Sequence, residues 1–224
     1  MERAPTSSHA ARYSPDNSDS HADGRLVADV VARNGPPVIA ALAPWLNGAR
    51  GAALEIGSGT GQHAANFALA FPGLSWHASD PDPAHRRSAD AWRVALRLPP
   101  CPARDVDASD SGWPDSVGDL APLSCLLAMN VTHIAPPAVT EGIVAGAGRV
   151  LAPGGLLALY GPFSEPGRPL GDGNRTFDAR LRADNPDWGL RDLAWIEELA
   201  STAGLARAAI VTMPADNRLI LFRR

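Results

Sequence analysis

The 224-residue chain carries 24 acidic and 20 basic residues, and every basic residue is arginine. The missing lysine excludes a P-loop lysine and Schiff-base chemistry. With a formal net charge of -4, the overall field does not attract nucleic acid, so we expect no nucleic-acid partner. The length fits one α/β domain with extensions, and no window approaches the ~20 apolar residues of a membrane span.

Residues 1–24 are rich in Ser, Asp, His and Pro, and their low apolar content predicts a disordered extension. The first ten residues lack the apolar core of a secretory signal, and Cys101 and Cys125 form no C-x-x-C motif. We therefore expect a cytoplasmic protein with two reduced thiols, no membrane partner and no metal site. The sequence leaves the oligomeric state open.

The next segment, residues 25–48, is predicted to form a helical cap. Apolar residues between Leu26 and Leu46 recur at helical spacing, which indicates one or two helices broken at Gly35-Pro36-Pro37. We expect this cap to pack against the central sheet and to cover the functional site.

From residue 51 onward, strand and helix patterns alternate, which predicts a parallel, doubly wound α/β sheet. Residues 162–190 show no clean period and predict a lid-like loop with one short helix. Strands are predicted at about 51–56, 74–79, 101–106, 123–129, 155–160, 205–213 and 217–223, the last two as an antiparallel hairpin. Helices are predicted at about 61–71, 83–97, 111–119, 137–151 and 191–203.

The most informative stretch is Leu54–Ala68, in which a buried strand runs through three alternating glycines into an apolar-faced helix. Such a turn brings free backbone N–H groups and the positive end of a helix dipole to one point. The pattern therefore predicts a site for a nucleotide-like cofactor. Gly59 to Ala64 also satisfies the G-x-G-x-x-A dinucleotide fingerprint, so a nicotinamide is one alternative, and a turn that binds no cofactor is the other.

Glu55 favours S-adenosylmethionine (SAM) over a nicotinamide. A buried carboxylate at a strand end needs hydrogen-bond donors, which the turn, water or the amino group of SAM would supply. The pattern E-x-G-x-G-x-G at residues 55–61 also resembles the glycine motif of class I SAM-dependent methyltransferases. This resemblance implies a Rossmann-like, seven-stranded, mostly parallel sheet with a closing antiparallel hairpin. It also implies cofactor contacts at Glu55, Gly57, Ser58, Gly59 and Gly61.

Acidic residues lie at the ends of the next two predicted strands. Asp80 is placed to accept hydrogen bonds from the two ribose hydroxyls. A helix N-cap is its alternative role, although Asp82 is the better cap. The class I resemblance places Asp105 against the adenine amino group and the N–H of Val106 against a ring nitrogen. Asp107 competes for that role, and plain turn chemistry is the other alternative.

The fourth and fifth strands end in further candidates, because carboxyl ends of strands in an open α/β sheet face the ligand crevice. Asn130 is expected to hydrogen-bond the methionine part of SAM. His133 is a candidate general base, with a structural role as its alternative. Tyr160 and Phe163 are expected to line the acceptor pocket, and Tyr160 is a second catalytic candidate.

A longer ordered set of motifs resembles the methyltransferase-like 26 family over about residues 25–224. That resemblance implies that Arg33 and Asn34 fold over the cofactor. It also implies a substrate lid containing Asn174, Phe177 and Arg182, for which an ordinary packed loop is the alternative. The motifs are A-R-N-x-x-P-x-I at 32–39, the glycine segment at 54–63, S-D-P-D-P at 79–83, M-N-V-T-H-I at 129–134, Y-G-P-F at 160–163, N-x-x-F-D-x-x-L-R at 174–182, W-G-L-R-D at 188–192 and M-P-A-D-N at 213–217.

These features predict a SAM-dependent methyltransferase that acts on a small-molecule acceptor in specialised metabolism. The small-molecule acceptor is inferred from the acidic charge, the absence of lysine and the lack of a nucleic-acid module. The alternatives are a non-catalytic SAM-binding regulatory protein, a protein or RNA methyltransferase, and a dehydrogenase.

Overall fold

The computed structural model describes residues 21–224. The disorder predicted for residues 1–24 therefore falls mostly on residues outside the described part of the chain. Residues 21–24 form a turn, in which the Gly24 N–H donates to the His21 carbonyl at 2.9 Å.

Strands β1 (Gly51–Ile56), β2 (Leu74–Ser79), β3 (Leu123–Met129), β4 (Leu151–Gly161), β7 (Ala206–Met213) and β8 (Asn217–Arg223) form the central sheet. Their order is β2-β1-β3-β4-β8-β7. β1 to β4 pair in parallel, and β8 is antiparallel to both of its neighbours. The predicted α/β class, with a mostly parallel sheet and a closing antiparallel hairpin, is confirmed. A separate parallel pair joins β5 (Phe163–Ser164) to β6 (Arg191–Asp192).

Helices cover both faces of this sheet. They are α1 (Val30–Leu46), α2 (Gln62–Ala70), α3 (Pro83–Ala95), α4 (Trp113–Ser116), α5 (Pro137–Val150), α6 (Asp172–Asp184) and α7 (Leu193–Thr202). Alternate strand residues enter opposite cores, as the two-residue period of a strand requires. Leu126 belongs to the core with α5 and α7, whereas Leu127 belongs to the core with α1 and α2. Within residues 21–224, no helix combines the length and apolar character needed to cross a membrane.

In the described part of the chain, the central sheet has six strands and not the seven that were expected, because residues 101–106 form no strand. Only Arg104 pairs with β2, through a single bridge to Ser79. Its N–H donates to the Ala78 carbonyl at 2.9 Å, and its carbonyl accepts from Asp80 at 3.1 Å. Pro100 and Pro102 precede it and have no N–H to donate, so a continuous ladder cannot form. The segment still lies beside β2 at the sheet edge.

The predicted break at Gly35-Pro36-Pro37 is also wrong, because α1 runs through it as one helix of 17 residues. Val31, Val38 and Leu42 lie on its buried face, and Val38 and Leu42 join the core that contains α2. Packing of this apolar face outweighs the backbone hydrogen bonds that the prolines remove.

The lid-like segment at residues 162–190 contains α6, whose 13 residues exceed the short helix that the sequence predicted. Leu181 is its one fully buried residue, and it packs with Trp188 and Leu190 in a small separate cluster. This cluster is the apolar contact by which α6 is attached to the rest of the domain.

Candidate functional site

A cavity of about 1490 Å³ opens at the carboxyl ends of β1, β2 and β3. α1 and α6 contribute further walls. The sequence-predicted residues that line it are Arg33, Asn34, Gly57, Ser58, Gly59, Asp80, Asp105, Val106, Asn130, His133, Asn174 and Phe177. Residues from six separate segments therefore meet at the edge where the ligand crevice was expected.

The three motif glycines have left-handed backbone angles but different surroundings. A Cβ on Gly57 would lie 2.7 Å from a methyl carbon of Val131, and one on Gly61 would lie 2.3 Å from the Cα of Ala89. A Cβ on Gly59 would meet no atom within 4 Å. Gly59 therefore opens onto the cavity, whereas Gly61 does not line it and allows α2 to approach α3 closely.

Glu55 does not line the cavity but lies beneath the glycine turn, only 1% exposed. Its Oε2 has no hydrogen-bond partner among the described residues. Burial raises the pKa of this carboxyl to about 8, although hydrogen bonds from Ser58 and the Ala64 N–H oppose the rise. The hydroxyl of Ser79 donates to the Glu55 carbonyl at 2.6 Å, so this residue also fixes the turn through its backbone.

Asp80 lines the cavity, and protein donors already engage both of its carboxylate oxygens. Oδ2 accepts from the Gly59 N–H at 3.0 Å, and Oδ1 accepts from the Asp82 N–H at 2.9 Å. The imidazole Nδ1 of His85 lies 3.1 Å from Oδ1. Burial lowers the pKa of His85, but the hydrogen bond and charge of Asp80, with the charge of Asp82, raise it overall. Asp80 thus ties the glycine turn to α3.

Asp82, not Asp80, caps α3, since its carboxylate accepts from the Ala84 N–H at 2.8 Å. Asp105 lies at the cavity edge with its side chain 70% exposed, and Arg86 approaches it at 3.2 Å. Val106 is almost fully buried. An exposed acidic group and a buried apolar residue therefore lie next to each other in this part of the cavity lining.

α1 closes the opposite side of the glycine turn. Asn34 is buried, and its side-chain oxygen accepts from Arg33 Nε at 3.2 Å. His63, from the first turn of α2, also lines the cavity, and neither of its ring nitrogens has a partner in residues 21–224. Burial lowers the pKa of His63 to about 4, so the ring is neutral at pH 7. The sequence reasoning did not select His63.

Asn130 and His133 follow β3. Asn130 has a left-handed φ of 55°, and its N–H donates to the Tyr160 carbonyl at 2.8 Å. The His133 ring lies edge-on to Phe177, with 5.5 Å between ring centres. Its Nδ1 has no partner within the described chain. Burial first, and then the charge of Arg191, lower the pKa of His133 to about 3.

Tyr160 and Phe163 do not line the cavity. Tyr160 is 1% exposed, and its hydroxyl accepts from Asn217 Nδ2 at 3.0 Å. Phe163 is buried in the core that contains α5. The neighbouring Pro162 and the partner Asn217 line the cavity in their place. The strand end was predicted correctly, but the alternation of side chains directs both aromatic rings into the cores.

α6 faces the cavity with Asn174, Phe177 and Arg180, which are spaced three residues apart. Asn174 Nδ2 donates to the Asp216 carbonyl at 3.2 Å and ties the helix to the β7–β8 turn. Arg182 instead pairs with Asp178 at 2.9 Å and does not line the cavity. The sequence motif indicated Arg182, whereas helical spacing from Asn174 and Phe177 would have indicated Arg180.

Arg191 fastens the loop that carries His133. Its guanidinium donates to the carbonyls of Thr132 at 3.0 Å and Asp187 at 2.8 Å, and to that of Ala135. The Gly189 N–H donates to the His133 carbonyl at 3.0 Å. The end of the lid segment and the turn after β3 therefore form one hydrogen-bonded unit, which fixes the position of the His133 backbone.

This sheet order, with a glycine turn after β1 and an antiparallel closing strand, is the fold of the class I methyltransferases. Residues 25–224 match a family described as "Protein of unknown function (DUF938)", and the chain belongs to that family.

Solved methyltransferase structures share the fold. An O-methyltransferase family protein from Burkholderia thailandensis superposes with a TM-score of 0.74 at 16% identity, over 88% of this chain and 57% of that one. Human N-acetylserotonin methyltransferase, in complex with SAM, superposes with a TM-score of 0.71 at 15% identity, over 99% of this chain and 60% of that one. The mitomycin 7-O-methyltransferase MmcR gives 0.71 at 18%, over 90% and 56%. This chain spans less than two thirds of the length of each.

Proposed function

We propose that this chain is a SAM-dependent methyltransferase that acts on a small-molecule acceptor. The observation that carries the proposal is the cavity at Gly59, where a glycine turn opens beside Asp80 and beneath α1. The names of the structural neighbours support methyl transfer. Membership of the methyltransferase-like 26 group, a cytoplasmic location and a role in specialised metabolism belong to the same proposal.

The residues around the glycine turn fit SAM. Glu55 Oε2 and both ring nitrogens of His63 are buried polar atoms without partners among the described residues. Unpartnered buried polar groups are costly, and a ligand with amino and carboxylate groups would satisfy such atoms. His63 and Arg33 line the cavity and would hold the methionine end, with Asn34 fixing the Arg33 guanidinium. Glu55 would act from beneath the turn.

Further along the cavity, we assign the nucleoside end to residues after β2. Asp80 would accept from the ribose hydroxyls, while Asp105 and the backbone of Val106 would meet the adenine. The backbone of Gly57, Ser58 and Gly59 would follow the ligand between these ends. Gly61 would act indirectly, because it sets the packing of α2 on α3. Asn130 would complete the contacts at the end of β3.

SAM, when bound, supplies a methyl group on a sulfonium that is already a good leaving group. The chain then has to align the acceptor and exclude water. α1 and α6 would do this from two sides. His133 is neutral at pH 7 and lines the cavity, so its imidazole would accept a hydrogen bond from an acceptor hydroxyl. A pKa of about 3 makes the ring a weak base, and we assign it the orientation of that hydroxyl.

Tyr160 and Phe163 are assigned supporting roles. The Tyr160 hydroxyl holds Asn217, which lines the cavity. Burial raises the pKa of Tyr160, against a smaller lowering by its hydrogen bond with Asn217, so the phenol is protonated at neutral pH. Asn174 and Phe177 would contact the acceptor from the lid helix.

The deciding experiment is calorimetry of the purified protein with SAM, S-adenosylhomocysteine and NAD. We expect micromolar binding of the first two ligands and none of NAD, followed by release of S-adenosylhomocysteine in the presence of small-molecule acceptors. Binding of NAD without SAM would identify a dehydrogenase. SAM binding without turnover would favour a regulatory protein, and turnover that needs macromolecular acceptors would favour a protein or RNA methyltransferase.

A further inference from the structure

The helix α6, which we propose to act as a lid, contains three arginines that differ in their partners. Arg175 pairs with Asp172 and Arg182 pairs with Asp178, both on the same helix. Arg180 lines the cavity and makes no ion pair or hydrogen bond among the described residues. An arginine that lines a cavity without an internal partner keeps all of its donors for a ligand.

The charges along the cavity are separated. Four lining carboxylates, those of Asp80, Asp82, Asp105 and Asp107, belong to the segments that follow β2, and the fifth, that of Asp29, lies just before α1. At the lid side the lining cation is Arg180, beside the aromatic ring of Phe177 and the amide of Asn174. Arg33 is the other lining arginine, and the proposed function already assigns it to the methionine end of the cofactor. Arg180 is therefore available to a second anion.

Apolar groups border the space between Arg180 and the turn after β3. Phe177 and His133 present their rings edge-to-face, and Ile134 and Pro162 add apolar surface. Such a lining favours a planar apolar body. A guanidinium binds a carboxylate through two parallel hydrogen bonds. Together these groups provide one ring-binding surface, one anion-binding group and, at His133, one acceptor for a hydroxyl hydrogen.

We infer that the methyl acceptor is an aromatic hydroxy acid whose carboxylate binds Arg180 and whose ring packs against Phe177. The inference rests on the proposed function and names the substrate class of the same site. The acceptor hydroxyl would lie at His133, across the ring from the carboxylate. An uncharged phenol of the same shape would lose the contact with Arg180.

The test compares hydroxybenzoate isomers with the corresponding hydroxybenzamides, which keep the shape but lack the charge. Binding is measured by calorimetry on protein saturated with S-adenosylhomocysteine, and turnover is measured with SAM. For at least one isomer, we expect the acid to bind about tenfold more tightly than its amide, a modest ratio because Arg180 is exposed. Arg180→Gln should bring that ratio close to one, and Arg180→Lys should keep part of it because the charge remains without the planar fork.

Arg175→Gln is the matched control, since Arg175 lies on the same helix but outside the cavity lining. It should leave the acid-to-amide ratio unchanged. Equal binding of acids and amides, absence of acid binding, or an unchanged ratio in Arg180→Gln would each overturn the inference. So would an equal loss in Arg175→Gln, which would indicate only a general charge effect. If SAM binds and only uncharged acceptors are methylated, the proposed function stands and this inference alone fails.

Discussion

Gly59 and Gly61 lie in one turn with left-handed φ angles of 54° and 79°, but a methyl group would meet different surroundings at each. At Gly59 it would enter the cavity, and at Gly61 it would collide with the Ala89 backbone. The conformational cost of alanine at positive φ, about 1 kcal/mol, is shared by the two positions. The difference in the free energy of unfolding between the two alanine variants therefore measures how much room each position has for a methyl group.

We predict that Gly59→Ala lowers the free energy of unfolding by about 1 kcal/mol and weakens SAM binding. Gly61→Ala should lower stability by about 2 to 4 kcal/mol, because steric overlap adds to the backbone strain. Urea unfolding gives the stabilities, and calorimetry gives the affinities. Equal destabilisation by the two substitutions would show that Gly59 does not open onto free space.

At the same scale, sequence reasoning located strand ends better than side-chain directions. It placed Asp80, Asn130 and His133 at the cavity, because each follows a recognisable apolar strand. It placed Tyr160 in the acceptor pocket, yet the ring is buried beside Asn217, a residue 57 positions away. Such a long-range partner has no local signal. Arg180 was within reach of sequence analysis, through its spacing from Phe177.

Among the structural elements, helix-interior glycines show how packing decides the effect of a substitution. In α1, a Cβ on Gly35 would lie 3.7 Å from the His63 ring, an ordinary contact distance. In α5, a Cβ on Gly146 would lie 2.1 Å from Trp113 Cζ2. The fold therefore has room for a methyl group at position 35, whereas the indole of Trp113 requires glycine at position 146.

Gly35→Ala should raise the free energy of unfolding by about 0.5 to 1 kcal/mol, because alanine favours the helix. Gly146→Ala is the matched comparison and should lower it by about 1 to 3 kcal/mol through overpacking. Thermal and urea unfolding of both variants would check the opposite signs. A loss of stability in Gly35→Ala would mean that α1 needs glycine in order to bend at its prolines.

The elements also show why two predictions were wrong. Propensity predicted a break at Gly35-Pro36-Pro37, but burial of one face of α1 keeps the helix continuous. A strand was predicted at residues 101–106, but Pro102 interrupts the run of N–H donors and the segment pairs with β2 through Arg104 alone. Local pattern thus identified where chain segments lie and was less reliable where proline chemistry and tertiary packing compete.

At the scale of the whole molecule, three buried titratable groups connect the site to the stability of the fold. Burial raises the pKa of Glu55 from 4.5 to about 8, and it lowers the pKa of His63 from 6.5 to about 4 and that of His133 from 6.5 to about 3. Each shift makes stability depend on pH, because the folded and unfolded states then bind different numbers of protons.

The histidines and Glu55 change the stability in opposite directions as the pH rises. Between pH 4.5 and 6.5 the unfolded chain protonates both histidines, whereas the folded chain protonates only Glu55 of these three groups. The unfolded state then holds one more proton, so stability rises with pH by about 1.4 kcal/mol per unit. Between pH 6.5 and 8 only folded Glu55 keeps its proton, so stability falls with a similar slope. The maximum is expected near pH 6.5.

Urea unfolding between pH 5 and 8 would measure this profile. Two variants separate its acid limb, the rise in stability below pH 6.5, from its alkaline limb, the fall above pH 6.5. Glu55→Gln should remove the contribution of Glu55 to the alkaline fall and steepen the acid limb, because two histidine protons are then unopposed. His133→Gln should make the rise at acid pH shallower, since His63 and Glu55 then cancel and His77, whose pKa burial also lowers, is left to contribute. His85, whose pKa is raised beside Asp80, adds to the alkaline fall and should still do so in Glu55→Gln. An alkaline limb that is unchanged in Glu55→Gln would mean that this carboxyl is ionised in the folded protein, and that its burial is compensated within the glycine turn itself.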